Sequence, residues 1–318
     1  MSLEKHASPD NAPAVKFKVS TAFFIFGLLC NFSSVAGAFR IATYNAENYL
    51  DTPTETRHFT KSAKAKAKVC ESISAINPDV LAVQEMGTTN ALMELRAALK
   101  SEGQYFPFWE FVEGADTNIH VAILSKFPII SRHPHTDDEF LLDGKRFRVS
   151  RGFVEVEIQP TTNFTFTLVA AHLKSRLNDT AADPSEQRLN EAKILRRILD
   201  EHFRKNPKAK IVVLGDLNDA PDSESVRTII GRGKFKLIDT RPADRNGDDS
   251  PALPPYFHPP RVAWTYYFGK DDTYSRIDYI LLSPAMARVW VMNETYALTI
   301  SNWGVGSDHR PIVAAFEK

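Results

Sequence analysis

The feature that most constrains this chain is a repeated pairing, in which a short apolar run ends on, or begins from, a carboxylate, amide or imidazole. The run 39–45 ends at Asn45, with Glu47 two residues on, and 80–83 ends at Gln84-Glu85. The run 164–172 ends at His172, and 211–214 leads through Gly215 to Asp216 and Asn218. Asp278 stands in a further run over 276–282, and Asp308-His309 closes the series near the C-terminus. Short continuous apolar runs read as strands buried on both faces. A rigid sheet can hold side chains at its strand ends toward one cleft. Singly, each position means little, because an Asp or Asn after a strand is ordinarily a turn former and a lone His is ordinarily structural.

Between these runs the period changes to that of a helix. Val69, Ile73 and Ile76 share one face of a helix over 61–77, stopped by Asn77-Pro78. Leu92, Leu95 and Leu99 do the same over 90–100, and Leu189, Ala192, Leu195 and Ile198 over 186–203. Further strands are expected over 120–125, 153–158 and 288–292. Residues 240–262 are Pro-rich and polar and read as a long loop, the kind of insert that is often functional. Strands outnumber helices, and no internal repeat is present. With 318 residues and 43% hydrophobic content, the chain can build one large α/β domain of two packed sheets with helices outside.

Residues 1–38 differ from the rest. Lys16 and Lys18 precede the apolar stretch 22–30, and Ala36-Gly37-Ala38 offers a small-x-small cleavage pattern. This is the form of a secretory signal, too short to span a bilayer comfortably. Cleavage after Ala38 would start the catalytic domain, 39–318, at its first strand and send the protein outside the cell or to a periplasm. Two other fates stay open: an uncleaved membrane anchor, given the long polar stretch before Lys16, and a lipoprotein joined at Cys30, where Leu29 is larger than the usual neighbour. Removal of Cys30 would leave Cys70 as one thiol with no internal disulfide. The 39 basic and 39 acidic residues balance. Zero net charge argues against a protein that coats nucleic acid, and less against one that binds weakly and turns over.

The local wording of the runs adds to their order. Thr43-Tyr44-Asn45-Ala46-Glu47-Asn48, Val83-Gln84-Glu85, His172-Leu173-Lys174-Ser175, Gly215-Asp216-Leu217-Asn218, Arg276-Ile277-Asp278-Tyr279-Ile280 and Ser307-Asp308-His309-Arg310-Pro311 resemble the successive motifs of the endonuclease/exonuclease/phosphatase family. The resemblance implies a four-layer α/β/β/α sandwich with two mainly antiparallel sheets. It also implies a hydrolase of phosphoester bonds that uses a divalent metal. Phosphodiester attack places negative charge on phosphorus and its oxygens, and a hard cation such as Mg²⁺, with Mn²⁺ or Ca²⁺ as substitutes, stabilises it through oxygen ligands. Glu85 is the leading ligand, Asn45 and Glu47 complete or buffer its shell, and Asp308 stands across the cleft. The absence of clustered His and Cys argues against an ordinary zinc site.

By the same resemblance Asp216 orients or deprotonates the attacking water and Asn218 donates a hydrogen bond to the phosphate. His172 and His309 flank the phosphoryl oxygens, where an imidazole can carry charge or move a proton. Asp278 holds His309. His172, where some relatives place Tyr, is closer to the deoxyribonuclease I-like and secreted bacterial members.

Other residues carry two readings each. Arg151 is either a contact for a substrate phosphate or a surface Arg. Lys61, Lys64 and Lys68 share one helical face, read as solvated rather than as a nucleic-acid patch. The run Trp264-Thr265-Tyr266-Tyr267 offers rings for stacking bases or for packing the loop before it. Asn163, Asn178 and Asn293 match glycosylation acceptors, which matter only in a host that uses them. The favoured function is a secreted nuclease acting on DNA or RNA as a monomer with no stable protein partner. The alternative is a phosphatase or phospholipase-type enzyme acting on inositol phosphates or sphingomyelin. Its membrane-acting relatives would show an exposed aromatic hairpin, for which 255–259 is the one weak candidate. A binding protein without chemistry is disfavoured, because every expected catalytic residue type is present.

Overall fold

Two sheets lie face to face, with a pair of helices on each outer side. The structure, a computed structural model, describes residues 38–177, 181–244 and 263–317. In chain order the strands are β1 (Phe39–Tyr49), β2 (Val80–Met86), β3 (Phe108–Val112), β4 (His120–Ser125), β5 (Ile129–Arg132), β6 (Glu139–Leu142), β7 (Lys145–Arg148), β8 (Phe153–Thr161) and β9 (Phe164–His172). They continue as β10 (Ile211–Asp216), β11 (Ile238–Asp239), β12 (Ala243–Asp244), β13 (Tyr266–Phe268), β14 (Thr273–Ser275), β15 (Asp278–Leu282), β16 (Trp290–Ala297) and β17 (Ile312–Phe316). The helices are α1 (Ala63–Ile76), α2 (Thr89–Ser101), α3 (Pro184–Lys205) and α4 (Glu224–Ile230). One sheet runs β12-β16-β17-β1-β2-β4-β3 and the other β11-β15-β10-β9-β8-β5, while β6-β7 and β13-β14 are separate hairpins.

The period of two in each strand sorts side chains between layers. Ile41, Ala82, Ile123 and Ile312 face Val156, Leu168, Leu214 and Ile280 in the core between the sheets. Their alternate neighbours Ala42, Leu81 and Leu124 meet Val69, Ile73, Leu92 and Leu95 of α1 and α2. On the other side Val169, Val213 and Leu281 meet Leu195, Leu199, Val226 and Ile229 of α3 and α4. The central strands are therefore apolar on both faces, the physical origin of the continuous runs. The four-layer sandwich is thus observed, and most strand pairs are antiparallel. The exceptions are β1-β2, β9-β10 and the short β12-β16.

Several elements differ from expectation. Helix α1 begins at Ala63, because the Ser62 side chain accepts from the Ala65 amide and caps it. Lys61 therefore lies before the helix rather than on its face. The strand expected over 288–292 is shifted: Ser283 accepts from the amides of Met286 and Ala287, turning Met286–Val289 into a 3₁₀ helix before β16. Residues 240–244 are not loop, since Thr240 bonds to Ile280 and Ala243–Asp244 pair with β16. The rest of that loop, the 255–259 candidate and the signal segment lie outside the described residues, apart from Ala38. No described helix is long and apolar enough to cross a membrane.

Candidate active site

The parallel pairs decide where the chemistry sits. Strands β1 and β2 run together in one sheet and β9 and β10 in the other, so each pair delivers its C-terminal residues to one edge. Strand β15 runs opposite to β10 and places Asp278 beside Asp216, while β17 runs opposite to β1 and brings its leading segment, with Ser307, Asp308 and His309, to the end of β1. All six motifs therefore meet on one rim.

A bulge re-aims the first of them. The β1-β2 register passes from Asn45 opposite Gln84 to Tyr49 opposite Met86, so Ala46, Glu47 and Asn48 stand against Glu85 alone. Glu47, Asn48 and Glu85 take left-handed backbone, at φ 44°, 50° and 60°. Each such non-glycine residue costs about 1–3 kcal/mol, and such strain concentrates at active sites. Local bonds offset it: the Glu47 amide donates to Asn45 Oδ1 at 2.9 Å, and the Asn48 amide donates to Glu85 Oε2 at 2.9 Å.

Asn45 is the hub between the sheets. Its Nδ2 donates to Asp216 Oδ2 at 3.0 Å and to Glu85 Oε1 at 3.2 Å, and lies 3.4 Å from His309 Nε2. His309 Nδ1 bonds to Asp278 Oδ2 at 2.8 Å, leaving Nε2 3.7 Å from Asp216 Oδ2. His172 Nε2 reaches the same Asp216 oxygen from the other side at 3.6 Å. The Asn218 amide N–H donates to Asp216 Oδ1 at 2.8 Å, and its Nδ2 donates to the Leu173 carbonyl at 3.0 Å. Behind them, Ser307 Oγ donates to the Asn45 carbonyl and accepts from the His309 amide, while Thr265 Oγ1 accepts from the Asp278 amide.

Burial makes these charges matter. It opposes the charged form of His309, yet Asp278, Asp216 and Asp308 outweigh it and push the imidazole up to about 10. Burial together with the Asp278 charge raises Asp216 to about 7, against the pull of His309 and the Asn218 and Asn45 bonds. Burial, with Arg151, His309 and Arg57 nearby, drives His172 well below its ordinary value, so it is neutral. Asp308 rises to about 7 through burial, with Glu47, Glu85 and Asp216 adding to the effect of burial and His309 opposing it.

Two places could take a cation. Among the described residues, Asp216, Asp278 and His309 lie close enough together to share one ion. There, however, His309 Nδ1 is already bonded to Asp278. The Glu85, Glu47 and Asp308 side is the better fit for a hard cation. It offers only oxygen donors, and its carboxylates add to the burial that raises Asp308.

These groups line a cleft of about 640 Å³. The expected residues Glu47, Glu85, Arg151, His172, Asp216, Asn218, Asp308 and His309 all border it, whereas Asp278 sits behind His309. A larger groove of about 790 Å³ runs along β3, past Phe108, Phe111 and Arg132, and holds none of them. Arg151 is buried rather than a surface residue. Its guanidinium donates to Asp116 and to the Leu173 carbonyl, the carbonyl that Asn218 also uses. Arg57, Arg176, Tyr266 and Phe268 also line the cleft and were not singled out as catalytic. Nothing near Arg57 or Arg176 in sequence sets them apart from other surface arginines. Tyr266 divides from its run: its ring packs on His309 at 4.7 Å, while Trp264 packs on Trp303 and Arg310. An aromatic hairpin does exist, made by β13 and β14, with Tyr274 exposed.

The same fold recurs in solved structures. A truncated TDP2 from Caenorhabditis elegans matches with a TM-score of 0.58 at 18% identity, over 88% of this chain and 98% of that one. The human Nocturnin catalytic domain matches with a TM-score of 0.60 at 16% identity, over 88% and 94%. Sphingomyelinase C from Streptomyces griseocarneus matches with a TM-score of 0.57 at 19% identity, over 88% and 99%. No curated protein sequence matches the chain. Residues 42–309, from the first strand to the histidine that Asp278 holds, match one family throughout, and the chain belongs to the Endonuclease/Exonuclease/phosphatase family of phosphoester hydrolases.

Proposed function

We propose that this protein is a secreted, Mg²⁺-dependent phosphodiesterase that cuts nucleic acid. The observation that carries the reading is the bond of Asn45 to Asp216 and Glu85, which joins a proton-handling half and an oxygen-ligand half in one cleft. Glu85, Asn45 and Asp308, with Glu47 beside them, would hold the cation, which would supply positive charge to the phosphoryl oxygens.

The chain's own groups do the rest. Asp216, with its pKa near neutrality, takes the proton of the attacking water as the new P–O bond forms. His309, kept charged by Asp278, donates to a phosphoryl oxygen as negative charge builds there. Neutral His172 donates from the opposite side, and the side-chain Nδ2 of Asn218 offers the phosphate its second N–H, the one not bonded to the Leu173 carbonyl. The bond to the leaving oxygen then breaks, its electron pair stays on that oxygen, and the oxygen takes a proton from solvent water while Asp216 returns its own to solvent. Asn45 and Ser307 keep these groups in register across the two sheets.

Nucleic acid is favoured over lipid by the lining. Arg57, Arg151 and Arg176 supply cations for a phosphate backbone, and Tyr266 and Phe268 supply rings for bases. The human Nocturnin catalytic domain is described with a bound sulfate, a tetrahedral oxyanion like a phosphate, which supports the reading. A second reading, a phospholipid substrate, draws on exposed Tyr274 and Leu177 at the cleft and on the sphingomyelinase C neighbour. Export rests on residues 1–38, read as a cleaved signal, with 39–318 as the monomeric catalytic domain.

A substrate panel tests the reading. Plasmid DNA, RNA, bis-p-nitrophenyl phosphate, an inositol phosphate and sphingomyelin vesicles are each offered with Mg²⁺, Mn²⁺ or EDTA. EDTA-sensitive cutting of DNA or RNA is expected. Activity confined to the vesicles or the monoester would refute the nuclease assignment.

A further inference from the structure

Lys61, expected on a solvated face, is a buried charge: its side chain is 7% exposed. A buried ammonium is costly unless it is paired and hydrogen-bonded. Here Nζ donates to the Gly306 carbonyl at 2.8 Å and stands 3.7 Å from Glu47 Oε2. Gly306 lies two residues before Asp308. It packs so tightly on α1 that a Cβ there would meet Lys68 Cγ at 3.1 Å and the Val69 amide nitrogen at 3.2 Å. Lys61 thus ties the bulge of β1, which carries Glu47, to the segment that carries Asp308 and His309. Glu47 is itself fixed in left-handed backbone by its bond to Asn45 Oδ1, and its carboxylate, which borders the cleft with Glu85 and Asp308, has Lys61 as a near partner.

We propose that Lys61 is a positioning residue that sets the metal affinity of the cleft. It holds Glu47 as its counter-ion rather than as a metal ligand, and it anchors the Gly306–Asp308 turn. An incoming divalent cation therefore meets Glu85 and Asp308 with the charge of Glu47 already offset. This rests on the metal-dependent reading above.

Mn²⁺ binding to the full chain, followed by the free-ion electron paramagnetic resonance signal, tests it. Removing one unit charge a few ångströms from the ion should make Lys61→Met bind Mn²⁺ about tenfold more tightly. Glu47→Gln should bind about tenfold more weakly, and the double variant should return to within about threefold of the parent, because the pair is removed together. Lys61→Arg keeps the charge and should keep the parent affinity. A merely structural lysine would not tighten metal binding when lost. The proposal fails if Lys61→Met binds no more tightly, or if the double variant stays as weak as Glu47→Gln, which would make Glu47 a direct ligand. Should Lys61→Met not fold by circular dichroism, Glu47→Gln decides: a loss of about tenfold fits a counter-ion, and loss of measurable binding fits a ligand. If the parent binds no Mn²⁺ at all, the metal reading itself falls, and this proposal with it.

Discussion

Asp278→Asn isolates the pair on which the chemistry turns. The change is isosteric and lies outside the cleft, where Asp278 bonds to His309 and stands opposite Asp216 on the neighbouring strand. It replaces a charge-assisted bond of 2.8 Å between two groups that are 5% and 2% exposed. Removing one member of such a buried pair costs about 3 kcal/mol, the lower end of the usual range. If the imidazolium is needed in the transition state, that cost appears in the rate, and at 1.36 kcal/mol per decade kcat falls roughly 150-fold. KM stays near its parent value, because no cleft-lining group is removed. The His309 pKa falls, so the basic limb of the pH–rate profile moves to lower pH. The assay is steady-state hydrolysis of bis-p-nitrophenyl phosphate across pH, with circular dichroism to show retained fold. A kcat within about threefold of the parent, or a loss confined to KM, would refute the reasoning.

Three further outcomes are expected. Glu85→Gln should raise the Mg²⁺ concentration needed for half-maximal rate, and His309→Ala should remove most hydrolysis at any Mg²⁺ level; near-full activity in either would remove that residue from the assignment. Gly215→Ala should fail to fold, because Gly215 has φ 131° and a Cβ would lie 1.9 Å from the Ala171 carbonyl oxygen, as soluble expression and a melt would show. Glu155→Gln should lower the melting temperature in a pH-dependent way. Burial opposes the Glu155 charge, but bonds from His135 and His202 outweigh it and hold its pKa down to about 2, while His135 is raised in return, its bonds to Glu155 and Asp138 outweighing burial. The carboxylate contribution is present above its ordinary value and lost as pH falls toward about 2. The His135 contribution is full below its ordinary value and lost as pH rises through its raised value. The destabilisation should therefore peak between about pH 4.5 and 6.5, at about 3 kcal/mol, and a flat profile would refute the linkage.

Much of this site could be read in the chain because its residues end strands that are buried on both faces. Val80–Val83 and Ile211–Leu214 announce themselves as continuous apolar runs, and the polar residue that stops each one is then conspicuous. What the runs do not encode is the partner strand. The meeting of Asn45 and Asp216, 171 residues apart, follows from two parallel pairs facing each other, a tertiary fact. The left-handed backbone of Glu47, Asn48 and Glu85 was equally hidden, since none is glycine and the bulge is held by side-chain bonds to distant residues. Strands β3 and β5 and the hairpins escaped notice because they lie at sheet edges or outside the sheets, half-buried and short. The run Ile312–Phe316 is a continuous apolar stretch of the same kind and forms the fully buried β17. Lys61 shares the helical spacing of Lys64 and Lys68 but stands one residue before the Ser62 cap, so spacing alone does not reveal that it lies outside the helix.

The central claim is that one rim, built from both sheets, hydrolyses phosphodiesters with a bound divalent cation. Plasmid nicking by the full chain, stripped with EDTA and then given back Mg²⁺, tests it most directly when run beside Asp216→Ala. The account predicts no nicking after stripping, recovery with Mg²⁺ in the parent, and no recovery in the variant. Nicking that persists in EDTA, or an Asp216→Ala variant that recovers like the parent, would contradict it.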